Sequence, residues 1–323
     1  MGKSNLDLVS ECDNFPYYED ERNAYTENLN NYHAFKVSGY NCTLGYILNE
    51  VVEKFPWSEH SWTIDSSART VTLVTPSNAT PTLRSKLVAE DIAKAVKQNK
   101  FEVLKGWRNE QYPVYGPGGE FLLELERAAS PLFGIVSYGA HMTGYVQDDA
   151  TDLKIWVPRR AKNKQTYPSL LDNTVAGGMC TGEKPFECIV REAMEEASLP
   201  ESVVRAATVS RGCVTYSHVR DVRAGGETGL IQPEVEYVYD LRLDPGVIPK
   251  PGDNEVEEFK LLSVEEVKEA LANGEFKPNC ANIMIDFFVR HGILTPENEP
   301  DYLQIVARLH RRLEYPTASH CAR

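Results

Sequence analysis

The stretch Gly177-Gly-Met-Cys-Thr-Gly-Glu183-Lys-Pro-Phe-Glu-Cys-Ile-Val-Arg191-Glu192-Ala-Met-Glu195-Glu196-Ala-Ser-Leu199 constrains this chain more than any other segment. A helix is expected over Pro185–Ser198, and on it Glu192, Glu195 and Glu196 fall at i, i+3 and i+4 and share one face. Like charges that close repel by a few tenths of a kcal/mol per pair. A divalent cation turns that repulsion into a binding site. Hard Mg²⁺ prefers oxygen ligands, keeps some of its waters and takes substrate phosphate oxygens in its remaining positions. Gly177-Gly178, ahead of the helix, lets backbone carbonyls approach such an ion closely.

This stretch resembles the Nudix box, G-x5-E-x7-R-E-U-x-E-E-x-G-U with U apolar. Gly177, Glu183, Arg191, Glu192, Glu195, Glu196 and Leu199 match at the right spacings. With residue frequencies of about 5–7% each, six such fixed matches arise by chance on the order of once in 10⁵ chains of this length. A solvated acidic helix that happens to fit is therefore a poor account of it. Ala193 is a small choice for the apolar position, and Ser198 stands where Gly is usual. The resemblance implies that Glu192, Glu195 and Glu196 bind Mg²⁺ or Mn²⁺ and that Gly177 offers its carbonyl. It also implies that Arg191 orients the box glutamates and that Glu183 supports the same network. Metal ions in this family polarise a diphosphate and activate the attacking water. Many members add one carboxylate from a later loop. Glu255, in the run Asp253-Asn-Glu255-Val-Glu257-Glu258, is the leading candidate, with Glu257 and Glu234 as alternates and an ordinary exposed acidic turn as the competing account.

Composition narrows the partners. The 323 residues carry 34 Lys+Arg against 47 Asp+Glu, a formal charge of −13, which is the wrong sign for bulk binding of nucleic acid or anionic membrane. The apolar runs fall far short of the ~20 residues a membrane span needs. Seven cysteines without a CxxC pair argue against a disulfide scaffold or a zinc ribbon and for a reducing compartment. Acidic residues at 7, 11, 13, 19, 20 and 21 do not suit a targeting peptide, and Leu6 does not suit myristoylation after Met-Gly. The chain reads as cytoplasmic, acting on a small-molecule diphosphate, with a homodimer compatible with it.

Length predicts two domains. Residues 1–30 read as an acidic tail, loose or docking late. A small α+β domain is expected over 31–130, with helices from Thr43 to Phe55 and over Thr82–Gln98 around strands at Trp62–Ile64 and Thr70–Val74. A second domain over 131–316 has strands at Leu132–Val146, Leu153–Val157, Asn173–Ala176, Gly212–Ser217, Val235–Leu243 and Glu255–Leu262. Its later helices begin at the Ser263-Val-Glu-Glu capping box, near Asn279 and near Pro300. The expected fold is thus a Nudix α/β/α sandwich with a mixed sheet, preceded by a small α+β domain.

Further matches lie outside the box. Gly106-Trp107-Arg108-Asn-Glu110-Gln-Tyr112, Leu125-Glu126-Arg127-Ala128-Ala129, Leu132-Phe133-Gly134, Gly139-Ala-His141-Met-Thr-Gly144-Tyr145 and Ile155-Trp156-Val157-Pro-Arg159-Arg160 form a series with Lys164 and Leu171-Asp172-Asn173. The series resembles the thiamine pyrophosphokinase-related Nudix subfamily of fungi and plants, over roughly residues 100–316. Such members remove the terminal phosphate of thiamine diphosphate, favouring its oxy- and oxo-analogues. No Walker-type phosphate loop is present, and kinase activity is not expected. Trp107 and Tyr112 offer faces for a flat heterocycle, against the alternative that they fill a core. Arg159, Arg160 and Lys164 suit diphosphate oxygens, against the alternative of a solvated strand end. His141, alone in an apolar strand, reads as a hydrogen-bonded structural residue rather than an acid or ligand. Competing functions are a Nudix pyrophosphatase on ADP-ribose or NADH, an isopentenyl-diphosphate-isomerase-like enzyme, and a module that only binds diphosphates.

Overall fold

The computed structural model describes residues 2–148 and 151–319; Cys321 lies outside them. Its elements are α1 (Asn5–Cys12), α2 (Arg22–Leu29), β1 (Tyr32–Val37), β2 (Gly45–Leu48), α3 (Asn49–Lys54), β3 (Trp62–Asp65), β4 (Thr70–Leu73) and α4 (Pro81–Lys97). There follow β5 (Gln111–Tyr115), β6 (Phe121–Glu126), α5 (Ser130–Phe133), β7 (Ser137–Asp148), β8 (Thr151–Arg160), β9 (Val175–Gly178), α6 (Pro185–Ala197) and α7 (Glu201–Ala207). The remainder is β10 (Thr208–Val219), β11 (Ile231–Arg242), β12 (Val256–Ser263), α8 (Val264–Ala272), α9 (Pro278–Arg290) and α10 (Tyr302–Leu309). The chain divides into two compact units, each assembled from separated segments.

One unit comprises Asn14–Ser137, Ser217–Glu234 and the chain from Leu313. It holds a four-stranded sheet, β2-β1-β4-β3, in which β1 runs parallel to β4 and antiparallel to β2. The β5–β6 hairpin and α4 complete it around Phe35, Ile47, Leu73, Ile92, Leu122 and Phe133. The helix expected from Thr43 begins only at Asn49, because Gly45–Leu48 pairs with β1 in the register Phe35↔Gly45, His33↔Ile47. Pairing with a distant strand outweighs the local helical spacing there. Strands β1, β5 and β6 also escaped the sequence reading.

The other unit runs from the N-terminus to Asp13, then Tyr138–Tyr216 and Val235–Arg312. Its sheet has the order β10-β11-β7-β8-β12, with β9 pairing β7. Ile155, Val214, Val238, Ile283, Phe287 and Ile305 are among its core residues, and Leu8, Val9 and Cys12 of α1 join them. Of the two readings of residues 1–30, a loose tail or a docked segment, the packed helices fit the second. α1 is capped reciprocally by Ser4 and Asp7 and packs against α9 and α10. α2, in the first unit, buries Tyr25. Acidic side chains on the outward face had masked the buried stripe of α1.

Candidate functional site

Strand β9 delivers Gly177 and Gly178 to the site, held in register against β7 as Ala140↔Gly177 and Gly139↔Gly178. The loop that follows turns through Gly182 at φ 83°, where a Cβ is disfavoured. Helix α6 opens with Pro185 at its first position, where the missing N–H costs no helical bond. It packs on β9, with Cys188 Sγ against the Gly177 and Gly178 carbonyls, and buries Ile189, Val190, Ala193 and Ala197 as well. Ala193 is fully buried. Ser198 ends the helix in the left-handed region at φ 50°, the job for which Gly is the usual residue. Two amides of the β11–β12 loop close this end: Lys250 N–H donates to the Ala197 carbonyl at 2.9 Å and Gly252 N–H to that of Glu196 at 3.1 Å.

Arg191 sits at the centre of the acidic face. Its Nε and Nη2 grip the two Glu183 oxygens at 2.8 and 3.1 Å, a bidentate fork. Its Nη1 donates to Glu192 Oε1 at 2.7 Å and to Glu195 Oε2 at 3.2 Å. The Glu183 hydrogen bonds and the Glu192 charge raise its pKa further above the usual guanidinium range. Glu196 is half-buried and accepts the Ala176 N–H at 3.2 Å. Burial, then the Glu192 and Asp172 charges, hold its carboxyl well above the ordinary carboxylate range. Gly177 has no side chain for a reason, since a Cβ there would overlap Glu192.

These donors suit a hard divalent cation. They are all oxygens, they crowd one another electrostatically, and the Gly177 backbone lies against Glu192. Among the described residues no three His, Cys, Asp or Glu side chains converge closely enough to hold an ion as they stand. Arg191 accounts for this by drawing Glu192 and Glu195 to itself.

The structure brings Lys164 and Glu255 together as an ion pair between the β8–β9 and β11–β12 loops. Burial lowers the Lys164 pKa against the pull of Glu255, and Arg160 and Glu196 are close enough to add to its field. The two residues assigned to separate tasks, phosphate contact and metal ligation, thus satisfy each other. Arg160 is buried and spent on its own loop. It donates to Asp172 at 2.6 Å and to the carbonyls of Tyr167 and Thr166 at 3.1 and 2.9 Å. Arg159, one residue earlier on β8, points to the opposite face. It binds the Ser169 carbonyl at 2.8 Å and neighbours Glu258 and Glu275. Glu257 pairs with Lys162 at 3.5 Å, and Glu234 accepts from Gln232 at 2.7 Å. Trp107 and Tyr112 belong to the other unit. Trp107 is 42% exposed, with its indole N–H on Asn109, whereas Tyr112 is 5% exposed with Arg127 over its ring.

Sequence reasoning missed Glu236, which is buried in β11 and faces His141 of β7 at 3.4 Å. Burial alone would strip the His141 proton, but the Glu236 charge and the Cys280 thiol hold its pKa well above the usual value. Its Nδ1 meets Asn173 Oδ1 at 2.8 Å. The alternation of Glu234 and Glu236 in a strand was the available signal.

A profile of the NUDIX domain matches residues 139–280, directly after a match to a domain of unknown function (DUF4743) at residues 6–137. The uncharacterized protein YJR142W of Saccharomyces cerevisiae is 44% identical over 239 residues, covering 72% of this chain and 70% of that protein. From Arabidopsis thaliana, Nudix hydrolase 20, chloroplastic, is 38% identical over 65% of this chain, and Nudix hydrolase 24, chloroplastic, 34% over 64%. Each match spans 54% of the plant protein, about half its length. The chain belongs to the Nudix hydrolase family, enzymes that act on phosphoanhydride bonds. Its architecture is an N-terminal α/β domain followed by a Nudix fold with a mixed sheet.

Proposed function

We propose that the chain hydrolyses thiamine diphosphate, or its oxy- and oxo-analogues, to the monophosphate and phosphate with Mg²⁺ or Mn²⁺. The observation that carries the hydrolytic reading is the Arg191 fork on Glu183 beside Glu192, Glu195 and Glu196. The thiamine substrate is supported by the matched series from Trp107 to Asn173 outside the box. The Gly177 carbonyl and the carboxylates of Glu192, Glu195 and Glu196 would hold the cation. Bound there, it polarises the diphosphate and acidifies the attacking water. Arg191 keeps Glu192 and Glu195 oriented, and Glu183 keeps Arg191 in place. Lys164, released from Glu255, is the cation available to the departing phosphate. Water oxygen bonds to the terminal phosphorus as the bridging P–O bond breaks, and its proton passes to a carboxylate or to solvent. A cytoplasmic site of action is part of this reading and rests on the sequence features alone.

Turnover of thiamine diphosphate, oxythiamine diphosphate, ADP-ribose and NADH at about 5–10 mM Mg²⁺, read as phosphate release from the thiamine compounds and as AMP formation from the other two, tests it. Release from the thiamine compounds alone, abolished by Glu195→Gln/Glu196→Gln, supports the proposal. Turnover of ADP-ribose or NADH instead removes the thiamine substrate and keeps the chemistry. Inactivity on all four with metal still bound favours a binding module.

A further inference from the structure

Glu236 stands where a carboxylate is hard to explain by stability alone. A buried ion pair is weak support for a fold, because desolvation offsets most of the attraction. Yet two groups are spent on orienting one oxygen: Tyr216 Oη donates to Glu236 Oε1 at 3.0 Å and Asn279 Nδ2 to the same atom at 3.4 Å. The other oxygen, Oε2, is turned toward β7. There residue 139 is a glycine, and a Cβ on it would overlap Oε2 while meeting the Gly177 carbonyl oxygen at 3.2 Å. Gly177 in turn lies against Glu192. Two glycines on neighbouring strands thus clear the space between the Glu236 carboxylate and the head of the box.

We propose that Glu236 is a further ligand of the divalent cation held by the box, reaching it across Gly139, with His141 as its positioning residue. The assignment rests on the metal-dependent Nudix reading. It names Glu236, rather than Glu255, as the carboxylate from outside the box, since Glu236 Oε2 lies against Gly139 beside the Gly177 carbonyl.

Mn²⁺ titration by calorimetry on the full chain tests it, with wild type, Glu236→Gln, Gly139→Ala and Glu195→Gln/Glu196→Gln compared and each variant's melting temperature recorded. Gly139→Ala keeps every charge and displaces the Glu236 carboxylate while also pressing on the Gly177 carbonyl, so if Glu236→Gln fails to fold, Mn²⁺-soaked wild-type crystals decide between the two ligands. The expected result is a Mn²⁺ affinity weaker by about 10–100-fold in both single variants. Lower melting temperatures with wild-type Mn²⁺ affinity overturn the proposal. If the box variant alone loses Mn²⁺, the box reading stands and the Glu236 assignment falls; if wild type binds none, both fall. Anomalous diffraction from wild-type crystals soaked in Mn²⁺ reads the same question without a variant. A Mn²⁺ ion about 2.0–2.3 Å from a Glu236 oxygen supports the proposal, and an ion ligated only by the box overturns it.

Discussion

Replacing Gly177 by alanine isolates the geometry of the box from its charge, because it alters no ionisable group. The added Cβ would sit against Oε1, Cδ and Cγ of Glu192, about 0.9 Å inside the 3.0 Å floor that real Cβ contacts keep. Three atoms of one side chain are involved, so the whole carboxylate must move by close to an ångström. That movement works against the 2.7 Å bond from Arg191 Nη1. A misplacement of this size costs about 10²-fold in rate, equivalent to ~2.7 kcal/mol of barrier, and overpacking destabilises by about 1–3 kcal/mol. The assay is Mg²⁺-dependent turnover of the best of the four substrates, with a thermal melt in parallel. Gly246→Ala serves as control, since nothing lies within 4 Å of a Cβ there. A Gly177→Ala enzyme within twofold of wild type, at an unchanged melting temperature, would refute the claim that Glu192 must occupy its present position.

Three other perturbations follow from the same geometry. Arg191→Lys keeps the charge but loses the fork on Glu183, so phosphate release should fall about tenfold or more; retained activity would show that charge alone suffices. Ser198→Gly relieves the left-handed helix end at φ 50° and should stabilise by about 0.5–1 kcal/mol, with activity unchanged; a lower denaturation midpoint would contradict this. Although burial works against ionisation, Arg160 and Lys277 hold the Asp172 carboxyl below its ordinary value, so the folded state binds fewer protons there than the unfolded chain. The Asp172 contribution, read as the difference in stability between wild type and Asp172→Asn, should be full above about pH 4 and shrink below it as the unfolded chain takes up a proton there. Urea melts from pH 3 to 6 check this, and a flat profile across that range would count against the Arg160–Asp172 pair.

The box was legible because its residue types are dictated by chemistry at helical spacing. Arg191, four residues before Glu195, shares its helix face and meets it, whereas its bond to Glu192 one residue on is not given by helical spacing. The helix from Pro185 was expected, and its end came one residue early, with Ser198 as a left-handed cap outside it. The opposed faces of Arg159 and Arg160 follow from strand alternation, which keeps the two from serving one phosphate together. The Lys164–Glu255 pair joins two loops whose approach no local pattern records. Glu236 needed the pairing of β11 with β7, and β2 needed that of residues 45–48 with β1. Where contact is made across long separations, the local period carries no trace of it.

The closure of α6 by the β11–β12 loop bears on how such an enzyme can change its substrate over evolutionary time. Loops are the usual place to lengthen a chain without unfolding it. Here Lys250 and Gly252 are tied to the last carbonyls of the helix that carries the box, and Gly252 has no room for a side chain against the Glu195 carbonyl. An insertion between Lys250 and Glu255 would pull on Glu195 and Glu196 themselves. Between Asp244 and Pro249 it would leave both ties in place. Variation that retunes specificity therefore has one tolerant stretch in this loop, and the residues beside it are fixed by the geometry of the helix they close.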